Sequence, residues 1–224
     1  DASARAFDKA KTREAAAAKG ARIAEARLLD TTHEDALTAA LHALLAAYPR
    51  WVLKPQADGS SHGLVHLRDA SEVPAAAKKL NGLRLAYLAE QFIEGRELTV
   101  GVVDEPGGPT ALPASEVRLL NGGSFDYEGK YLGRDTEELT PAPIDAGALQ
   151  QAQQLALLTH QAVGCFGYTR TDMILTASGP VLLEINTLPG LTKASFIPQQ
   201  LAAAGRDVKQ FLLQQLELAR HRKK

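Results

Sequence analysis

Cysteine, methionine and tryptophan occur once each in this 224-residue chain, and aromatic residues make up only 5% of it. A single thiol, Cys165, rules out an intrachain disulfide. Its neighbours Val163-Gly164 and Phe166-Gly167 give it the setting of a small buried hydrophobe rather than a nucleophile. No apolar run approaches the roughly 18 residues that a membrane helix needs. No leader-like pattern opens the chain, and a reducing, cytoplasmic setting is expected. Neither sign of charge is in excess: 25 Lys and Arg stand against 26 Asp and Glu, a formal net charge of -1. Neither a nucleic-acid nor a membrane partner is therefore expected, and the basic run 221–224 reads as a solvated helix end. There is no GxxxxGK[ST] and no GxGxxG, which excludes a P-loop and a Rossmann site. The chain opens on Asp1 rather than Met, which suggests that something upstream has been cut away.

What is present is an ordinary globular mixture, 45% hydrophobic and 23% charged. An Ala/Lys/Arg-rich stretch predicts a helix over 3–19, stopped by Gly20. An extended piece over 21–29 follows. Asp30-Thr31-Thr32 is placed to cap a second helix carrying Leu37, Leu41, Leu44 and Leu45, ended by Pro49. Residues 51–55 and 64–67 read as strands around a Gly/Ser loop, 71–80 as a helix, and 85–92 and 98–103 as strands. Residues 104–110 read as a turn and 119–134 as one long loop. A helix is predicted over 146–163, a hairpin over 168–175 and 180–185, and a last helix over 207–220. Frequent hairpins among helices predict an α+β fold of mostly antiparallel sheets.

Four segments carry chemistry. In the C-terminal hairpin, period-2 alternation puts Arg170 with Asp172 and Glu184 with Asn186. A turn centred on Ser178 would set Asp172 opposite Glu184. Two carboxylates facing each other among apolar neighbours repel and are costly to desolvate, and a divalent cation between them removes that cost. Two carboxylates and an amide oxygen suit Mg²⁺. On spacing alone an exposed polar edge remains an equal reading. The Gly59-Ser60-Ser61-His62-Gly63 tip, with Lys54 at the end of the preceding strand, has the small residues that let backbone N–H groups cradle phosphate, although such tips are common plain turns. Glu90 to Glu97 runs an apolar strand into a break at Gly95, where a nucleoside could lodge and Glu97 could accept from ribose; a strand end with solvated acids is the plainer reading. Tyr127-Glu128-Gly129-Lys130-Tyr131 lies in the long loop and could close over phosphate. The six His residues form no metal-ligand pattern. Trp51 and five of the His residues read as core or surface structure.

Taken in order, these segments resemble the D-alanine–D-alanine ligases of the ATP-grasp superfamily over essentially the whole chain. The match is carried by Phe7-Asp8-Lys9, Lys54-Pro55 with residues 59–63, and residues 92–97. It continues through residues 126–131 and 167–172. It ends with Glu184-Ile185-Asn186-Thr187-Leu188-Pro189-Gly190-Leu191-Thr192 and Ser195. The last pattern is close to diagnostic of the family.

The resemblance implies an ATP-grasp fold of two α+β subdomains, 1–94 and 95–224, gripping ATP between their sheets. It implies that Lys9, Lys54, Ser61 and Lys130 face ATP phosphates, that Glu90 and Ile93 sit at adenine, and that Glu97 sits at ribose. Asp172, Glu184 and Asn186 would hold Mg²⁺, or Mn²⁺ in its stead. Arg170 and the Gly190 N–H would face the developing oxyanion. Ser195, beside Phe196, would bind the second D-alanine, and Ser60 and Tyr131 would stand near the first D-alanine and the closing loop. The implied reaction joins two D-alanines through a D-alanyl phosphate, for peptidoglycan precursor synthesis. Relatives that make D-alanyl-D-lactate or D-alanyl-D-serine are the nearest alternative, and a non-catalytic ATP-binding module is the other. The family carries an N-terminal α/β domain ahead of Asp8-Lys9 that has no counterpart in this chain, so this piece alone is expected to bind Mg-ATP and ligate poorly. Dimers are common in the family, largely through regions that include that domain, which leaves the oligomeric state of this piece open.

Overall fold

The computed structural model describes residues 1–58, 63–83, 85–119 and 136–221. Two antiparallel sheets dominate it. The first has the order β1–β4–β2–β3, from Ala26–Leu29 (β1), Trp51–Pro55 (β2), Val65–Leu67 (β3) and Tyr87–Gln91 (β4). Helices α3 (Glu34–Ala47) and α4 (Val73–Leu80) cover one of its faces. Strand β2 shows why: Trp51, Leu53 and Pro55 are buried while Val52 and Lys54 alternate to the other side. Trp51 and Leu53 join Leu37, Leu41, Leu44, Leu80 and Ala89 in one core, and the Trp51 indole N–H donates to the Leu44 carbonyl at 2.7 Å. Trp51 is thus core, as expected.

The second sheet has the order β10–β9–β5–β7–β8, with β6 also paired to β5. Its strands are Arg96–Glu105 (β5), Gly108–Ala111 (β6), Ser115–Leu119 (β7), Thr136–Leu139 (β8), Tyr168–Thr176 (β9) and Gly179–Asn186 (β10). Leu98, Val100 and Val102 point to one face, where the long helix α5 (Ala146–Val163) supplies Ala152, Leu155 and Ala156. Asp145 caps the start of α5 through the Ala148 N–H, and Gly164 ends it in the left-handed conformation. Helices α6 (Phe196–Ala203) and α7 (Val208–His221) lie against the other face beside β5. Gly101 is required there, because a Cβ would come within 2.6 Å of Ile197 Cδ1 and 2.7 Å of Gln200 Oε1.

Several expectations are corrected. The helix predicted over 3–19 is two helices, α1 (Ala2–Phe7) and α2 (Lys9–Ala17). Asp8 is extended at the junction, bridges to Ala57, and caps α2 by accepting from the N–H groups of Ala10 and Lys11. Helix α3 starts at Glu34, since Asp30 turns its carboxylate onto Thr32 instead of capping it. Helix α6 and strand β6 were not foreseen. Strands β7 and β8 pair with each other at the ends of the segment expected to be a loop, and 120–135 lie outside the described residues.

The expected division at 94/95 passes between the two sheets. Helices α1 and α2, which that division puts in the first part, pack on α5 and β10 of the second. The chain crosses over near Glu25: Ile23 bridges to Leu182 of β10, while Ala26 already pairs with Glu90 of β4. No described helix is long and apolar enough to cross a membrane.

Candidate active site

A cavity of about 480 Å³ lies between the facing sides of the two sheets. The first sheet contributes Val52, Lys54, His66 and Glu90, which cross-strand register places on one face. The second contributes Glu97, Asp172, Ile174 and Glu184. The hinge segment Phe92 to Gly95 closes one side, with Arg50 lying 4.4 Å over the Phe92 ring and paired to Glu94. His66, expected to be plain structure, packs edge-on against Phe92 in this cavity.

The β9–β10 hairpin sets the acidic side of the cleft. Asp172 pairs with Glu184 and Arg170 with Asn186. The turn pairs Gly179 with Thr176, so regular pairing would carry Leu183 opposite Asp172. A bulge between Leu182 and Glu184 shifts the register and puts Glu184 there. Asp172 is buried; it accepts from the Thr99 hydroxyl at 2.6 Å and from the Arg170 guanidinium at 2.9 and 2.8 Å. The Asn186 side-chain oxygen accepts the Leu188 N–H at 2.9 Å, which leaves one of its two lone pairs. Two facing carboxylates and an amide oxygen form a hard-oxygen donor set that fits a divalent cation. Among the described residues no group of three or more His, Cys, Asp or Glu forms a metal cluster.

The basic side comes from β2 and α2. Lys54 Nζ is paired with Glu90 Oε2, and Arg13 Nη1 with Glu90 Oε1. Lys9 is buried at the first position of α2 and donates to the Asp58 carbonyl. Burial lowers the pKa of its ammonium; the Glu184 carboxylate opposes that shift and the Lys54 charge adds to it. Lys9 therefore feels the carboxylates of both sheets. Arg13 was not singled out from the sequence, where a helical arginine has the signature of a solvated face.

A second cavity of about 190 Å³ adjoins the first, and Glu97 and Asp172 line both. Arg170, Gly190, Ser195 and Phe196 line only the smaller one, and the Arg170 guanidinium lies 5.7 Å over the Phe196 ring. Gly190 passes so close to the cap of α6 that a Cβ would stand 2.6 Å from Ser195 Oγ. Ser195 in turn shares a hydrogen bond of 2.9 Å with Thr192. The structure thus brings Lys9, Lys54, Glu90, Ile93, Glu97, Asp172 and Glu184 around one cavity, and Arg170, Gly190, Ser195 and Phe196 around its neighbour. Asn186 lies on the adjoining strand end, opposite Arg170. Ser60, Ser61, Lys130 and Tyr131 lie outside the described residues. Cys165 is half-buried away from both cavities, and burial pushes its thiol up to about 11.

Two sheets facing each other across a cleft, with basic side chains on one side and acidic ones on the other and a connecting segment between them, define the ATP-grasp class. Within that class the chain belongs to the family described as D-ala D-ala ligase C-terminus, whose model matches residues 25–217. It is 39% identical over 165 residues to a D-alanine–D-alanine ligase of Ralstonia pickettii, covering 73% of this chain and 50% of that protein. It is 40% identical over 159 residues to one of Dichelobacter nodosus, covering 70% and 50%. Among solved structures, the VanG D-Ala:D-Ser ligase of Enterococcus faecalis superposes with a TM-score of 0.83 at 29% identity, over 97% of this chain and 62% of that one. A D-alanine–D-alanine ligase of Bacillus anthracis gives 0.77 at 26%, over 96% and 68%. The chain spans about half the length of the curated relatives it matches.

Proposed function

We propose that this chain is the ATP- and metal-binding half of an enzyme that joins two D-alanines at the expense of ATP. The observation that carries the reading is the shared wall of the two cavities. Asp172 belongs to that wall, so a phosphoryl group in the larger cavity and an amino acid in the smaller one would meet beside it.

In this reading the carboxylate of the first D-alanine attacks the γ-phosphorus of ATP, and the bond to the β-phosphate oxygen breaks to release ADP. The amine of the second D-alanine then attacks the acyl carbon, loses a proton, and phosphate departs with the carbon–oxygen bond. Lys9 and Lys54 neutralise the phosphates. Asp172, Glu184 and Asn186 would hold Mg²⁺, or Mn²⁺, which when bound supplies charge neutralisation at the phosphate oxygens. Arg170, held between Asp172 and Phe196, would bring its positive charge with the Gly190 N–H to the oxyanion of the tetrahedral intermediate. Ser195 receives the carboxylate of the second amino acid. Ile93 would take the base, with Glu97 toward the ribose; Glu90, also expected at the base, has its two carboxylate oxygens engaged by Lys54 and Arg13. Ser60, Ser61, Lys130 and Tyr131 complete the phosphate and first-substrate sides. The setting would be cytoplasmic, where peptidoglycan precursors are made.

Calorimetry with Mg-ATP, followed by ADP release on adding D-alanine, tests this in a preparation that supplies the half of the relatives' length this chain does not span. ADP release that requires D-alanine and yields the dipeptide supports it. Preference for D-lactate or D-serine as the second substrate would reassign the acceptor, and absence of ATP binding would remove the reading altogether.

A further inference from the structure

Arg13 is a buried charge that the reaction above does not use. It sits on α2, four residues after Lys9, so the two side chains leave the same face of the helix. Helix α2 packs on α5 and β10, with the second sheet. The Arg13 guanidinium nevertheless reaches across to the first sheet, where Nη1 pairs with Glu90 Oε1 on β4. Its other terminal nitrogen donates to the Ala24 carbonyl, at the point where the chain crosses between the sheets. Both residues of the pair are buried, at 5% and 3% exposure.

The second oxygen of Glu90 holds Lys54 Nζ. One carboxylate is therefore shared by two cations, and their mutual repulsion makes each easier to withdraw than from a simple pair. Lys54 lines the cavity and Arg13 does not. A polyphosphate entering the cavity must draw Lys54 away from Glu90, which is easier while Arg13 retains the carboxylate. Resting on the nucleotide reading of the cleft, we propose that Arg13 is a positioning residue. It holds Glu90 across the inter-sheet junction and so keeps Lys54 available to phosphate.

The proposal predicts an effect on phosphate and none on the nucleoside. Calorimetric titrations of the 224-residue chain with Mg-ATP, inorganic tripolyphosphate and adenosine separate the two. Arg13→Met should weaken ATP and tripolyphosphate by about tenfold, a factor worth ~1.4 kcal/mol, and leave adenosine unchanged. Arg13→Lys, which keeps the charge but cannot hold Glu90 and Ala24 together, should fall between. Removing one partner of a buried pair can unfold a protein, whereas removing both is often tolerated. Arg13→Met in a Glu90→Gln background therefore serves as the second test, and there it should cost no phosphate affinity. Equal losses for adenosine and ATP would mark Arg13 as merely structural. A tenfold loss that persists without Glu90 would mean direct action on phosphate. Unchanged ATP and tripolyphosphate binding in Arg13→Met would likewise overturn the proposal. Failure of the unmodified chain to bind ATP or tripolyphosphate would instead remove the nucleotide reading beneath it.

Discussion

The two sheets share one plan and differ in the charge they turn to the cleft. Each buries one face against a helical layer and turns the other toward the cleft, although α6 and α7 cover part of that face of the second sheet beside β5. On the first, a single carboxylate, Glu90, is held by two cations, Arg13 and Lys54. On the second, two carboxylates, Asp172 and Glu184, face each other with one guanidinium, Arg170, bound to the first. One face thus has a cation to offer an anion, and the other has an anion to offer a cation. Under the proposed function this becomes a division of labour, in which a magnesium-polyphosphate would bring both signs and each sheet would receive one.

The largest test of that contrast is to neutralise each face. Glu184→Gln keeps the shape and removes one carboxylate from the metal side. ATP turnover should fall by on the order of 100-fold or more, beyond the ~10–100-fold typical of groups that only support a ligand, and raised Mg²⁺ should recover part of it. Lys54→Met should cause a comparable loss that no Mg²⁺ concentration relieves. Steady-state assays across a magnesium series read the difference, and equal magnesium dependence for both variants would erase the distinction between the faces.

Next in size are the helix-backed faces, where the two sheets should behave alike. Leu53→Ala in the first core and Leu98→Ala in the second each empty a fully buried site. Each should cost about 2–5 kcal/mol in denaturant unfolding. A smaller effect, about 1–3 kcal/mol of overpacking, is expected for Gly101→Ala, where α6 crosses the second sheet and has no equivalent on the first.

The hairpin that builds the acidic face was legible because strand alternation is rigid. Alternation put Arg170 with Asp172 and Glu184 with Asn186, but it is the bulge at Leu183 that brings the two pairs to one side, and nothing local distinguishes that leucine from Leu182. The helix α5 was equally plain, framed by Asp145 and Gly164. The basic face was half legible: Lys54 followed from its strand, but Arg13 did not. Its partner lies 77 positions away, and helical periodicity says nothing about a charge buried by tertiary contact. The break at Asp8 hid for the same reason, because Ala and Lys favour helix throughout while the interruption is imposed by Ala57 and Gln56. Helix α6 was obscured by Pro198, which is tolerated there because it falls in the first turn. Strands β7 and β8, short and rich in polar side chains, flank the 119–134 segment and gave no strand signal of their own.

A subtler asymmetry concerns pH. His160 on α5 is buried behind the second sheet, sharing a hydrogen bond of 2.8 Å with Thr169 and standing 3.3 Å from Asp104. Burial outweighs the Asp104 charge and holds its pKa below the ordinary value of 6.5. The unfolded chain therefore takes up a proton that the folded chain resists as pH falls through 6.5. Stability should decline from there down to the depressed folded value and be level above it. Thermal melts across pH 5 to 8 should show this slope diminished in His160→Gln. The smallest effect is expected at Cys165, whose thiol is raised to about 11. It should react with a thiol reagent at neutral pH far more slowly in the native chain than in the unfolded one.

The central claim, that the bare faces of the two sheets jointly bind a magnesium-nucleotide, is tested most directly by calorimetric titration of ATP with and without Mg²⁺ into the unmodified chain and Glu184→Gln. Tight binding that needs Mg²⁺ and weakens in the variant is the predicted result. ATP binding of equal strength in all four titrations, or in none, would contradict it.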